Sequence, residues 1–211
     1  MRGSVSPSGV EAGFGTFTGV VLLTAALLPV AALLVWALAR RRSVAGSGPA
    51  WRMSLAEVAI VYGTVPWVWM IMLPGEQAGT VPGRVQLIPL RDFLSLFDGG
   101  PLTVIGQVVG NLLVFAALGF FAPIRFAALA SVPRILALAA ACSILVETAQ
   151  YVLQLDRVSS VDDVLINTAG AGLAAAPYGF AFNGAAEVFQ VSRTSDTATL
   201  TPNTTYSMKL E

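Results

Sequence analysis

Long apolar stretches alternate with short polar ones along most of this chain. Five of the stretches approach the roughly 20 apolar residues that a helix needs to cross a bilayer core. They are residues 17–39, 55–73, 103–122, 134–154 and 162–182. The first two carry almost no polar groups, whereas each of the last three contains carboxylates or carboxamides. The pattern predicts an all-α fold, a polytopic transmembrane helix bundle of about five spans.

A short amphipathic segment interrupts this series between the second and third spans. Residues 74–102 are too rich in proline and glycine to form a span. After Pro89, which can open a helix, apolar residues recur at helical spacing until Gly99 stops them. They are Leu90, Phe93, Leu94 and Phe97. We predict a short helix in the membrane interface, the alternative being an external loop with chance spacing.

The charged residues suggest an orientation and domain limits. Arg40, Arg41 and Arg42 follow the first span, and the positive-inside rule places them in the cytoplasm. Residues 1–16 are then an external segment and residues 17–182 the five-span membrane domain. Residues 183–211 are polar and poor in large apolar side chains, so we predict a disordered cytoplasmic tail.

Composition sets the class of protein. The mean hydropathy is +0.74, and 11% of the residues are charged, against about a quarter in soluble domains. This indicates a multi-pass protein of the cell membrane with membrane lipids as partners. Twelve basic and twelve acidic residues cancel, so nothing favours nucleic acid. The chain lacks histidine, the commonest metal ligand, and we predict neither a metal site nor a cofactor.

Polar and small residues on the last three spans fall on one face of each helix. They are Gly106, Gln107, Gly110 and Asn111 on the third, Ser143, Glu147, Gln150 and Gln154 on the fourth, and Asp163, Asn167, Gly170 and Ala174 on the fifth. Small residues let helix backbones approach, and carboxamides hydrogen-bond between helices, so the three faces should meet in a polar seam. With the orientation above, this seam lies at the outer ends of the spans.

Charged groups are costly in a membrane, so those of the seam need partners. We expect Arg157 to fold back and pair with Glu147. Asp162 and Asp163 suit the start of the fifth helix, where Ser159 or Ser160 can act as the cap. Each polar residue also has a purely structural interpretation: aspartate at a helix start, asparagine between helices, arginine as a counter-ion.

Together these residues resemble the VanZ-like family of bacterial membrane proteins over about residues 84–178. The resemblance rests on Arg84 with Gln86-Leu87-Ile88-Pro89, on Asn111, Phe115 and Gly119, on the Glu147 and Gln150 pair, and on Arg157, Asp162, Asp163, Asn167 and Gly170. Gln86 stands where the family usually has Asn, Ala117 where Pro is usual and Ser160 where an additional Asp is common. The resemblance implies a multi-span membrane protein linked, in the family's namesake, to resistance to teicoplanin-type glycopeptides, and it supplies no molecular activity.

Two functions remain open at this point. In the first, an outer-leaflet site binds a polar or anionic moiety of the envelope, such as a cell-wall precursor or a glycopeptide, with Arg84 and Arg157 as anion contacts. Its candidate binding residues are Arg84, Asn111, Glu147, Gln150, Arg157, Asp162, Asp163 and Asn167. In the second, a membrane-embedded enzyme uses Glu147 or Asp163 as a general base on a lipid-linked substrate. Ion transport fits less well, because the polar residues cluster at one end of the spans, and a structural role is the remaining alternative.

Overall fold

The computed structural model describes residues 17–46, 48–95 and 100–178 of the chain. Its elements are α1 (Phe17–Val44), α2 (Ala50–Ile71), β1 (Arg84–Gln86), α3 (Arg91–Ser95), α4 (Pro101–Val114), α5 (Ala116–Arg125), a 3-10 turn (Ala127–Leu129), α6 (Val132–Val152), β2 (Val158–Ser160) and α7 (residues 161–178). The predicted all-α bundle is confirmed. The predicted external segment and tail, residues 1–16 and 183–211, lie outside the described residues.

Four helical segments of the described residues are long and apolar enough to cross a membrane. They are α1, α2, Val104–Arg125 and α6. The third predicted span is divided at Phe115, which leaves helical geometry with φ −116° and ψ 12° between α4 and α5. The fifth predicted span corresponds to α7, which opens with two aspartates and is not one of these four.

Close packing holds α7 in the bundle. A buried apolar cluster connects the four helices α4, α5, α6 and α7. Its residues are Val114, Phe115, Ala122, Ile135, Ala139, Ala171 and Ala175. Gly170 lies against the backbone of Leu112, and Gly119 lies against the backbone of Ala171, so neither glycine has room for a Cβ atom. The predicted close approach is thus found at Gly170. It is wrong for Gly106 and Gly110, beside which the described part of the chain leaves open space.

One end of the bundle, which we call the arginine end, contains the ends of α1 and α5 and the starts of α2 and α6. Glu57 on α2 binds Arg42 of α1 at 2.6 Å and also binds Arg125 of α5. Arg42 further donates to the Ser54 hydroxyl at 2.7 Å. This ion cluster, which the sequence did not reveal, ties three helices together and fixes α1 and α5 antiparallel to α2.

The opposite end, here the polar end, contains the segment between α2 and α4. The predicted amphipathic helix is present as α3, but it starts at Arg91 instead of after Pro89, because Leu90 has a positive φ of 66°. Its predicted continuation through Phe97 to Gly99 lies outside the described residues. Strand β1 pairs in parallel with β2, with Val85 opposite Ser159. This pairing brings two distant loops together over the ends of α6 and α7.

Candidate binding site at the polar end

Glu147 lies near the end of α6, with only 8% of its surface exposed. Its Oε2 accepts a hydrogen bond from the backbone N–H of Ser160 at 3.1 Å. Its backbone carbonyl accepts one from the Ser159 hydroxyl at 2.8 Å. Strand β2 therefore fixes the position of the carboxylate, and Oε1 has no hydrogen bond from any other described residue.

A cavity of about 250 Å³ adjoins Glu147. Its lining is Val85, Leu87, Ile144, Glu147, Thr148, Tyr151, Ser159, Ser160, Val161 and Val164. The surface of this wall is mostly apolar, five of its ten residues are aliphatic, and two of these, Leu87 and Ile144, are themselves exposed on the outer surface of the bundle. The cavity is thus an apolar recess, open to the outside, with one buried carboxylate in its wall. Sequence reasoning missed Tyr151 and the aliphatic wall, because such residues also occur on any lipid-facing helix.

A second carboxylate, Asp163, joins α7 to α4. Its Oδ1 accepts a hydrogen bond from the carboxamide of Asn111, whose side chain is largely buried. Asp163 also lies near enough to Glu147 for the two carboxylates to interact electrostatically. The predicted meeting of Asn111, Glu147 and Asp163 at one place is therefore found.

Asp162 does not line the cavity. Its Oδ1 accepts the N–H of Leu90 at 2.6 Å, and its Oδ2 accepts the N–H groups of Asp92 and Phe93, each at 3.0 Å. The Ser160 hydroxyl accepts the N–H of Asp162 at 3.1 Å, which confirms the predicted cap of α7. Asp162 therefore holds the first turn of α3 against the start of α7.

Gln150 and Arg157 bind the end of α2, where the last carbonyls have no partner within the helix. Gln150 donates to the Ile71 carbonyl at 2.9 Å, and Arg157 donates to the Leu73 carbonyl at 3.3 Å. The predicted pair between Arg157 and Glu147 is wrong, since no ion pair between them forms in the described part of the chain. The end of α2 lies nearer in space, and its free carbonyls take the guanidinium.

Arg84 is paired at the surface. Its guanidinium lies 3.4 Å from Asp156, and 60% of its side chain is exposed. Asp156, which sequence reasoning missed, also accepts the N–H of Gln77 at 3.1 Å. Its positive φ of 55° belongs to the tight loop between α6 and β2, a signal that the sequence lacks because the position is not a glycine.

Asn167 lies deepest of the predicted residues, with 1% exposed surface. Its Nδ2 donates to the Ser143 hydroxyl at 2.9 Å and so connects α7 to α6. Its Oδ1 is buried and has no partner among the described residues. The position matches the predicted structural use of asparagine between helices. In the same described part of the chain, no cluster of three or more His, Cys, Asp or Glu side chains is arranged to hold a metal ion.

The residues of this site lie within a region of the chain that matches a protein-family model. A family model described as VanZ/LLP1 matches residues 59–182, more than half of the chain. The chain belongs to the VanZ/LLP1 family. The match begins inside α2, earlier than the resemblance predicted from sequence, and contains every predicted site residue and the whole cavity. The VanZ/LLP1 region therefore includes the polar end and excludes α1. Searches of curated proteins and of solved structures found no match to the chain.

Proposed function

We propose that this VanZ/LLP1 membrane protein binds an envelope component or a glycopeptide at the outer face of the cell membrane and contributes to resistance to teicoplanin-type antibiotics. The observation that supports this proposal is the buried Glu147 carboxylate in the wall of an apolar cavity. A recess of this kind suits a ligand with an apolar body and a few polar groups. Asn111 and Asp163 extend the polar part of the site.

The charge distribution supports an outward-facing polar end. Among the described residues, the arginine end carries six arginines and one glutamate, a formal charge of +5, and the polar end carries three arginines and six acids, a formal charge of −3. The excess of arginine belongs in the cytoplasm by the positive-inside rule. The proposed site then faces the outer leaflet, where cell-wall precursors and glycopeptides meet.

This orientation predicts the labelling of single cysteines in intact cells. In a Cys142→Ala background, Thr80→Cys at the polar end should react with an impermeant thiol reagent, and Ala45→Cys at the arginine end should react only after the cells are opened. Both positions are exposed, which makes them a matched pair. Ser159 is buried and bonded to α6, so it is a poor reporter. The reverse labelling pattern would move the site to the cytoplasm and contradict action at the outer face.

The resistance proposal predicts a selective phenotype. Expression in a sensitive Gram-positive host should raise tolerance to teicoplanin more than to vancomycin, because a lipid-anchored drug shares the membrane plane with the site. Asn111→Ala, Glu147→Gln and Asp163→Asn should each lose the effect while the protein stays in the membrane at normal levels. Glu76→Gln, an exposed acid at the same end but outside the cavity, is the control. Unchanged sensitivity with correctly inserted protein would overturn the proposal.

The electrostatic contact between Glu147 and Asp163 favours a second candidate, an enzyme that acts on a lipid-linked substrate. Two neighbouring carboxylates allow one to act as a base while the other stays protonated. Comparison of lipid-linked wall precursors from cells with and without the protein tests this candidate. A precursor that changes with the wild type, and does not change with Glu147→Gln, would favour the enzyme over binding alone.

A further inference from the structure

We infer that the cavity beside Glu147 takes a membrane amphiphile that carries a primary ammonium group next to its hydrocarbon chain, with the ammonium on the Glu147 carboxylate and the chain along the aliphatic wall. The inference names the ligand class of the site and rests on the proposed binding function. The sequence-based expectation is a polar or anionic moiety, and the inference differs from its anionic alternative.

Glu147 is fixed in the cavity wall and keeps one carboxylate oxygen available to a ligand. The Ser160 N–H binds Oε2 of the carboxylate, and the Ser159 hydroxyl binds the backbone carbonyl of the same residue, so both hold Glu147 in the wall of the cavity. Oε1 receives no hydrogen bond from the described protein and is left as an acceptor. When a cationic ligand binds, it favours the ionised form of Glu147, and an ionised carboxylate accepts hydrogen bonds and donates none, so the best match is a cation that carries N–H groups.

The surrounding charges favour a cation over a neutral donor. The charged group that acts on Glu147 is Asp163, which adds negative potential. Neither of the two arginines expected to bind an anion is bonded to Glu147: Arg84 pairs with Asp156, and Arg157 donates to the Leu73 carbonyl and acts electrostatically on Asp163. A positive ligand therefore compensates the buried carboxylate, whereas an anionic ligand would meet Glu147 in the cavity wall with Asp163 behind it.

The shape and lining of the recess indicate that part of the ligand is a hydrocarbon chain. Val85 and Leu87 border the cavity on one side, and Ile144 on α6 and Val164 on α7 border it on the other. Ile144, on the apolar helix α6, is 54% exposed, so the recess opens on a side of α6 that would contact lipid. Glu147 lies five residues before the end of α6, about 7.5 Å along the helix axis. An ammonium bonded directly to an alkyl chain reaches that depth with its chain still among lipid tails.

Photoaffinity labelling in nanodiscs tests the inference. The probes are three amphiphiles with one diazirine-bearing C16 chain, and their head groups are a primary ammonium, a trimethylammonium and a carboxylate. We expect the primary ammonium to label the peptides around Ile144 and Val164 about tenfold more than the carboxylate, as one hydrogen bond to a charged group allows. The trimethylammonium has charge without N–H groups and should label between the two.

Three variants connect the labelling to the cavity. Glu147→Gln should remove the preference for the primary ammonium, since the amide keeps the shape and loses the charge. Ile144→Trp should fill the recess and lower labelling by every probe. Leu145→Trp, at a neighbouring position that is 69% exposed and outside the cavity, should change nothing.

Equal labelling by the carboxylate and the primary ammonium, or a preference that persists in Glu147→Gln, would overturn the inference. The outcome is separate from that of the resistance assay. Selective labelling without any change in teicoplanin tolerance would overturn the resistance proposal and leave the ligand class standing. Glu147-dependent tolerance without selective labelling would overturn only the ligand class.

Discussion

Gly170→Ala should prevent α7 from packing against α4. A Cβ atom at this position would overlap the backbone of Leu112, and a backbone cannot move aside as a flexible side chain can. The two helices would have to separate, which would also disturb the buried cluster around Val114 and Ala171. We expect a loss in the free energy of unfolding at or above the roughly 1–3 kcal/mol that is typical of overpacked cores.

Gly110→Ala is the matched control for this substitution. Gly110 also lies inside a helix of the bundle, but no atom of the described residues lies within 4 Å of the place where its Cβ would stand. Alanine should there be neutral, or stabilising by up to about 1 kcal/mol through its higher helix propensity. Thermal unfolding of the two variants in the same detergent measures the difference. Equal stability of Gly170→Ala and Gly110→Ala would show that α7 does not approach α4 as closely as described.

The same two glycines show where sequence reasoning stops. Small residues at helical spacing mark a face on which helices can meet, and Gly170 does lie at such a contact. The pattern does not say which small residues have a partner opposite them. Gly106 and Gly110 repeat the spacing and remain open, because the contact of α4 with α7 falls at Leu112.

The helices themselves were predictable because long apolar runs have few alternatives to a membrane helix. The convergence of Asn111, Glu147 and Asp163 was also predictable, since all three lie at the same end of neighbouring spans. Their individual bonds were not. Arg157 could have paired with the Glu147 carboxylate or with a free carbonyl at the end of α2. The loop that places it on the Leu73 carbonyl leads into the β1 and β2 pair, and these strands are too short to show a pattern in the sequence.

The ion cluster at the arginine end was missed for a related reason. Glu57, Arg42 and Arg125 are each unremarkable charges near a helix end, and they come from three separate spans. Positive-inside counting treats such arginines as equivalent, although two of them are bound to Glu57. The cluster becomes visible only when the antiparallel order of α1, α2 and α5 is known.

The structure also divides the predicted binding residues by role. Gln150, Arg157, Asp162 and Asn167 each hold one element to another through hydrogen bonds within the described chain. Glu147 faces the cavity, and Asp163 with Asn111 stands behind it. Substitution of the first group should therefore act on function through stability, whereas Glu147→Gln should act on the ligand directly.

Asp162→Ala should release α3 from the bundle. Three backbone N–H groups, those of Leu90, Asp92 and Phe93, donate to this carboxylate, which is 3% exposed. Each hydrogen bond to a charged group contributes about 1.5–3 kcal/mol, and alanine leaves none of the three. We expect a large loss of stability together with faster amide exchange at residues 90–93, measured by hydrogen exchange and mass spectrometry in detergent. Asp162→Asn should have a smaller effect, because its amide keeps one acceptor oxygen.

Asp156→Ala is the control for this experiment, because Asp156 also accepts a backbone N–H but does so from Gln77 in an exposed loop. Its loss should speed exchange near residue 77 and leave residues 90–93 protected. The contrast separates a local effect at α3 from general loosening of the polar end. If Asp162→Ala left exchange at residues 90–93 unchanged, Asp162 would not be the group that holds α3, and a direct role in ligand binding would again be the better explanation for its place at the start of α7.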